Sequence, residues 1–193
     1  MVEHHPDWTV VRWTNSIVEK SPLSICGKIA EHFGLGPRGL ADLIRLAAVF
    51  RYGGLYFDTD TIPLRPLSEF VGSRRPWIGT DEREEGTRAL INASFGFPPA
   101  HPFLSEVWVL AGEALQRGVT NEHWVAGPRT WRKAMNTGRF SDVEIDYRFR
   151  TEPRNPSMQR TIGTAAAFDL DKLRESYPNE LTLHIIFTAA RYV

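Results

Sequence analysis

Apolar positions recur at helical spacing through the middle of the chain. Leu40, Leu43, Ile44, Ala47 and Ala48 fall on one stripe of a segment running to Tyr52, and Gly53-Gly54 supplies its stop. The short apolar run LYFD follows at once and reads as a buried strand. Upstream, DWTVVRWTN has the β-branched and aromatic content of a strand. Ile25, Ile29 and Phe33 predict a short helix from Ser24 to Phe33, ended by Gly34, with Gly36, Pro37 and Gly39 forming a loop. Downstream, Ile91 to Phe97 reads as a strand, Pro102 to Arg117 as an amphipathic helix and Pro128 to Asn136 as a helix opened by proline. TEPRNPS is a loop and LTLHIIF a further strand. Helix, glycine and buried strand in succession predict an α/β fold, in which ligands gather at the carboxyl ends of strands. Asp58 and Asp60 stand at such an end.

Composition narrows the picture. A chain of 193 residues with 42% apolar content buries one substantial core, so a single domain over 1–193 is expected. No apolar run approaches the roughly 20 residues that span a bilayer, and the first residues lack the pattern of a secretory signal. A cytoplasmic chain with no transmembrane segment is the expectation. Formal charge is zero with signs interspersed, which argues against nucleic acid as a partner. The one cysteine, Cys26, heads no zinc cluster and forms no intramolecular disulfide, so it is assigned to core packing.

The candidate chemistry lies in LYFDTDTIPL. Two carboxylates one residue apart at the end of an apolar strand concentrate negative charge, which is costly without a cation or hydrogen-bond donors. Mg²⁺ or Mn²⁺ is suited to offset it, because such ions take one or two carboxylates together with waters and substrate phosphates. A metal held there neutralises charge on a departing diphosphate. A solvated turn is the alternative reading of an isolated Asp-x-Asp. Asp42 and Arg45, three apart on the preceding helix, project from one face, either toward this pair or as a surface ion pair.

The run ADLIRLAAVFRYGGLYFDTDTIPLRPL closely resembles the signature of the DXD-containing sugar transferases of glycosyltransferase family 32, which includes yeast mannosyltransferases and relatives of clostridial glucosylating toxins. HPDWTVVRWTN, INASFGFPPAHPF and VAGPRTW are weaker echoes. The resemblance implies a GT-A-like, Rossmann-like nucleotide-sugar-binding domain with a mixed sheet flanked by helices. It also implies Mn²⁺ or Mg²⁺, and retaining transfer of a hexose from a UDP- or GDP-linked donor to a hydroxyl acceptor. The acceptor is left open among glycan, lipid and protein. Against the family pattern the chain lacks the usual first strand, which resembles "IPKIIHQIW". By the same resemblance Asp42 contacts ribose or sugar hydroxyls and Arg45 the sugar and phosphate, while Tyr52, Gly54 and Asn92 join the donor site. Asp58 faces ribose and metal shell, and Asp60 is the main metal ligand, so Asp58 and Asp60 carry the catalytic assignment. His184 matches part of a C-terminal motif whose Ser-Trp is missing here.

Other readings compete. Gly34, Gly36 and Gly39 fit the spacing of a dinucleotide fingerprint and suggest an NAD(P)-binding oxidoreductase, although KIAEHF is too polar for the buried strand that must precede it. Asp58-Thr-Asp60 also resembles the opening of haloacid dehalogenase-like phosphatases, for which Lys133, Lys172, Asp169 and Asp171 are the downstream candidates. A non-catalytic nucleotide-sugar-binding module is the third alternative. Asn92-Ala-Ser94 is a glycosylation sequon only in a secreted chain. Trp8 and Trp13 offer either a face for a base or, more commonly, core packing.

Overall fold

The computed structural model describes residues 8–59, 61–67, 75–82, 88–152, 175 and 182–185. Three helices open it: α1 (Asn15–Glu19), α2 (Ser24–His32) and α3 (Pro37–Tyr52). Strands β1 (Gly54–Phe57), β2 (Thr61–Pro63), β3 (Trp77–Glu82) and β4 (Arg88–Phe97) follow. The chain continues through α4 (Pro102–Gln116), α5 (Glu122–Val125), α6 (Pro128–Met135), β5 (Glu144–Glu152) and β6 (Thr182–Ile185).

The α/β expectation holds: a mixed six-stranded sheet in the order β1-β4-β3-β5-β6-β2 carries helices α3 and α6 against β4. The middle pairs β3/β5 and β5/β6 are parallel, while β1/β4, β3/β4 and β2/β6 are antiparallel. LYFD is therefore not the buried parallel strand expected of an α/β unit. It is a half-buried edge strand antiparallel to β4. DWTVVRWTN is not a strand either; its Thr14 caps α1 by accepting from the Ile17 N–H. Trp13 instead lies against the main core and stacks loosely on Tyr52, with ring centroids 6.0 Å apart, while Trp8 joins a smaller cluster with Leu67 and Trp77. Of the C-terminal loop TEPRNPS, Thr151 and Glu152 belong to β5 and the rest lies outside the described residues.

Four helices, α2, α3, α4 and α6, fall almost where the pattern put them, yet α2 is rotated: Cys26 and Ala30 are its buried residues and Ile25 is exposed. The core joins Leu43, Leu46 and Val49 of α3 to Phe95 and Phe97 of β4, Phe103 and Val107 of α4 and Trp131 of α6. Phe97 stacks parallel to Phe103 at 5.5 Å, and Trp131 anchors to the Ala126 carbonyl through its ring N–H at 2.9 Å. Gly96 exists for space, since a Cβ there would lie 2.4 Å from Trp77 Nε1 and 2.6 Å from Leu55.

Topology places the acidic segment. β1 and β2 are the two outer strands, yet only residues 58–60 connect them. Five strand spacings laid flat separate two edges by about 24 Å, whereas four residue steps reach at most about 14 Å. The sheet must therefore curl until its edges approach at Asp58. The Thr61 N–H donates to the Asp58 carbonyl at 3.0 Å, tightening that junction, and the Asp58 N–H donates to Ala93 at 2.8 Å. β4 answers with an irregularity: its residues 91–94 stand opposite Gly79 alone, between the Ile78/Phe95 and Thr80/Leu90 pairs. Irregularities of this kind re-aim side chains beside functional sites, and Asn92 lies within this one.

Candidate functional site

Three elements meet where β1 ends. Asp42 and Arg45 lie one turn apart on α3, Tyr56 and Asp58 two apart along β1 and its exit, and Asn92 on the irregular part of β4. Arg45 Nη1 donates to the Asn92 carbonyl at 2.6 Å and pairs with Asp58 Oδ1 at 3.0 Å. Its Nε lies 3.4 Å from Asp42 Oδ1. Tyr56 donates its hydroxyl to the same Asp58 oxygen at 2.7 Å, while its ring lies 4.9 Å beneath the guanidinium. Asn92 Nδ2 donates to Asp42 Oδ1 at 2.7 Å and reaches the Ala126 carbonyl at 3.4 Å. One cation thus binds two carboxylates from separate elements to the sheet, and Asn92 closes the ring.

Electrostatics follow from burial. Burial raises the Asp42 carboxyl above its ordinary range, opposed by Arg45 and by the Asn92 hydrogen bond and reinforced by Asp58 and Glu122. Burial likewise pushes the Tyr56 hydroxyl up, against the pull of Arg45, so it stays a proton donor. For Arg45 burial acts downward, but Tyr56, Asp58 and Asp42 outweigh it and the guanidinium remains charged. Glu122 enters because it sits against the first turn of α3: a Cβ at Gly36 would lie 3.5 Å from its Oε1. A carboxylate is favoured at a helix N-terminus. Among the described residues the neighbourhood holds three acidic groups, Asp42, Asp58 and Glu122, against the cation Arg45.

The sequence-predicted residues divide. Asp42, Arg45, Asp58 and Asn92 come together. Tyr52 and Gly54 stand at the other end of β1, about 13 Å of strand from Asp58, and Tyr52 is exposed with Trp13 and Arg51 as its ring neighbours. Asp60 lies outside the described residues, as do Asp169, Asp171 and Lys172. For His184 the structure gives strand pairing with Thr61. Tyr56 was missed, although period-two alternation puts it on the same side of the strand as Asp58 and thus in view of the same partner.

The glycine fingerprint is overturned. Gly34 follows helix α2 rather than a strand and closes it at φ 65°, and Pro37 occupies the first turn of α3. Gly39 is a packing glycine, with Leu35 Cβ 3.2 Å from where its own Cβ would be. Lys133, the described downstream candidate of the phosphatase reading, is on α6 and lines a cavity whose walls do not include Asp58.

A divalent cation fits the donor set in one respect and needs more in another. Excess negative charge and a hard carboxylate are present, and the buried Thr61 and Ser94 hydroxyls and Arg45 Nε, which flank this junction, have no hydrogen-bond partner among the described residues. Among the described residues, no group of three or more His, Cys, Asp or Glu is arranged to hold a metal. The protein shell is thus partial, as Mg²⁺ and Mn²⁺ sites completed by substrate phosphates are.

Residues 1–83, which carry Asp42, Arg45 and Asp58, match the family described as glycosyltransferase sugar-binding region containing DXD motif. The resemblance read from the central run is borne out over that segment. The human alpha-1,4-N-acetylglucosaminyltransferase is 40% identical over 68 residues, covering 34% of this chain and 17% of that protein. The inositol phosphoceramide mannosyltransferase 3 of Schizosaccharomyces pombe is 26% identical over 108 residues, 55% of this chain and 29% of that one. The chain therefore matches less than a third of the length of these relatives. Among solved structures, the PaToxG glycosyltransferase aligns with a TM-score of 0.46 and 18% identity over 84% of this chain and 52% of that one. Among the described residues no helix is long and apolar enough to cross a membrane.

Proposed function

We propose that residues 1–193 act as one domain that transfers a hexose from a UDP- or GDP-linked donor to a hydroxyl acceptor, with retention and with Mn²⁺ or Mg²⁺. The observation that carries the reading is the Asp42, Arg45, Asp58 and Asn92 cluster at the exit of β1, the first three of which lie within the segment matched to the DXD sugar-binding region. Asp42 orients donor hydroxyls, being itself fixed by Asn92 and Arg45. Arg45 orders both carboxylates and offers its second terminal nitrogen to donor phosphate. Asp58 and Asp60 hold the metal, which when bound offsets charge on the leaving diphosphate. Tyr56 holds Asp58 in position and has no contact with the reacting atoms in this scheme. The name of the fission yeast relative makes a phosphate-bearing lipid one acceptor class to include.

The test is a thermal-shift panel of UDP- and GDP-hexoses with and without Mn²⁺, repeated on Asp60→Asn, followed by assay for released nucleoside diphosphate. The expected result is stabilisation that requires both nucleotide sugar and metal and is lost in the variant. Stabilisation without turnover would assign the chain to binding alone, and absence of any metal-dependent stabilisation would overturn the reading.

A further inference from the structure

One cavity is lined by none of the residues of the acidic junction. It has a volume of about 560 Å³ and opens between the C-terminal half of α4, α5 and α6. Leu110, Ala114 and Val119 give it an apolar floor, while Arg117, Arg129 and Lys133 stand on its walls with Trp124. None of its lining residues is acidic. Glu113 meets Arg117 at 3.5 Å on the exposed surface, but among the described residues neither Arg129 nor Lys133 has a carboxylate at ion-pair distance. In a chain of zero formal charge this concentrates positive charge in one place.

The aromatic wall is built rather than incidental. Trp124 is 50% exposed, unusual for so large an apolar ring, and the Arg129 guanidinium lies 4.4 Å over its face. Stacking of this kind holds the planar fork of arginine in one orientation. Thr130, buried on α6, donates its hydroxyl to the Trp124 carbonyl at 2.8 Å and fixes α5 against α6. The turn between them is equally constrained, because a Cβ at Gly127 would lie 2.7 Å from the Glu122 carbonyl oxygen and from His123 Cα. Oriented cations, an exposed ring and an apolar floor ask for a ligand with an anionic group on a ring body whose C–H faces pack against aromatic carbon.

We propose that this cavity is a second binding site, for a phosphate-bearing sugar or polyol, with Arg129, Lys133 and Arg117 taking the phosphate and Trp124 the ring. The source is either a soluble sugar phosphate or the headgroup of a phosphorylated lipid. The site is independent of the donor reading, since its residues are distinct from Asp42, Arg45, Asp58 and Asp60. Helix α5 borders both: Trp124 enters the cavity, Glu122 acts on Asp42, and Ala126, just past the helix, presents its carbonyl to Asn92.

The experiment titrates the full chain with glucose 6-phosphate, glucose and inorganic phosphate by calorimetry. In parallel it measures co-sedimentation with phosphatidylcholine vesicles with and without phosphatidylinositol 4-phosphate. Glucose 6-phosphate binding more tightly than glucose or phosphate supports a soluble ligand, and retention only on phosphoinositide vesicles supports a headgroup. In either case Arg129→Ala and Trp124→Ala should each weaken binding about 10-fold or more, the scale of losing a charge-assisted hydrogen bond or a stacked ring. Arg129→Lys should recover only part. Both positions are exposed, so melting temperatures should stay near wild type and serve as the folding control, and Asp60→Asn should bind as wild type does. Absence of binding in both arms, or equal binding by the Arg129 and Trp124 variants, overturns the proposal.

Discussion

Replacing Arg45 by methionine tests whether one buried cation holds the site together. Its side chain is 11% exposed and makes contacts at 2.6 Å to Asn92, 3.0 Å to Asp58 and 3.4 Å to Asp42. Methionine keeps much of the aliphatic bulk and removes every one of those donors. Asp42 is then left buried beside Asp58 with only Asn92 as its described donor, and the Asn92 carbonyl loses its partner. Breaking a buried pair by removing one member costs about 3–5 kcal/mol, mainly the cost of the charge left behind. In a domain of this size each kcal/mol moves the melting temperature by about 2–4 °C, so a fall of roughly 6–20 °C is expected by calorimetry. Part of the loss is electrostatic and should be recoverable. Asp42→Asn in the Arg45→Met background should restore some of the melting temperature, because it neutralises the uncompensated carboxylate. A fall below about 2 °C, or no coupling between the two positions, would refute the network as drawn.

Four further outcomes are expected. Asp42→Asn alone should be no less stable than wild type at pH 7 while losing donor binding: the folded-state pKa of Asp42 is raised, so its contribution is fully present below the ordinary carboxylate range and is lost as pH rises through the raised value. Melting curves from pH 7 to 4 should show that advantage shrink as the wild-type carboxyl takes up its proton. Tyr56→Phe removes only the 2.7 Å hydrogen bond to Asp58 and should cost about 1–2 kcal/mol in chemical denaturation, less than Arg45→Met. Gly127→Ala forces a Cβ to within 2.7 Å of backbone and should cost about 1–3 kcal/mol, read by urea titration. Cys26 is fully buried and burial pushes its thiol up to about 11, so a thiol reagent at pH 8 should label it only on unfolding.

Long periodic segments were legible because their periodicity is itself the packing signal. α3, α4 and α6 fall within a few residues of the apolar stripes that announced them. What escaped is non-local. β3 carries Trp-Ile-Gly-Thr-Asp-Glu and β5 begins Glu-Ile-Asp-Tyr, and neither run stands out from a loop until the partner strand is known. LYFD looked buried and parallel because apolar content says that a strand is covered, not by what. Its cover is α3 and Phe95 on one side and Trp77 on the other, with a single strand neighbour in β4. The opening tryptophans looked like strand residues for the same reason. Of the clustered residues, Asp58 stood out as half of an acidic pair at a strand end and Asp42 and Arg45 by their helical spacing, their donor roles coming from the resemblance alone, whereas the Tyr56 contact required only the two-residue repeat of a strand.

Under the proposed function, the curl of the sheet explains why this junction, rather than any other acidic turn, would meet a charged ligand. A three-residue link between outer strands forces both edges to one place, and edges carry backbone groups without strand partners. Asp58 spends its N–H on Ala93 and its carbonyl on Thr61, so the backbone that carries its side chain is fixed before any ligand arrives. Arg45 and Tyr56 then hold one carboxylate oxygen from the helix side and the strand side. Preorganisation of this sort is what a site needs if binding energy is to go into the ligand rather than into ordering the protein. The same anchoring predicts a rank order under the proposed function. Losing Arg45 should damage both folding and donor binding, losing Tyr56 should weaken donor binding more than it weakens the fold, and losing Asp60 should abolish metal-dependent stabilisation with the smallest effect on the metal-free melting temperature.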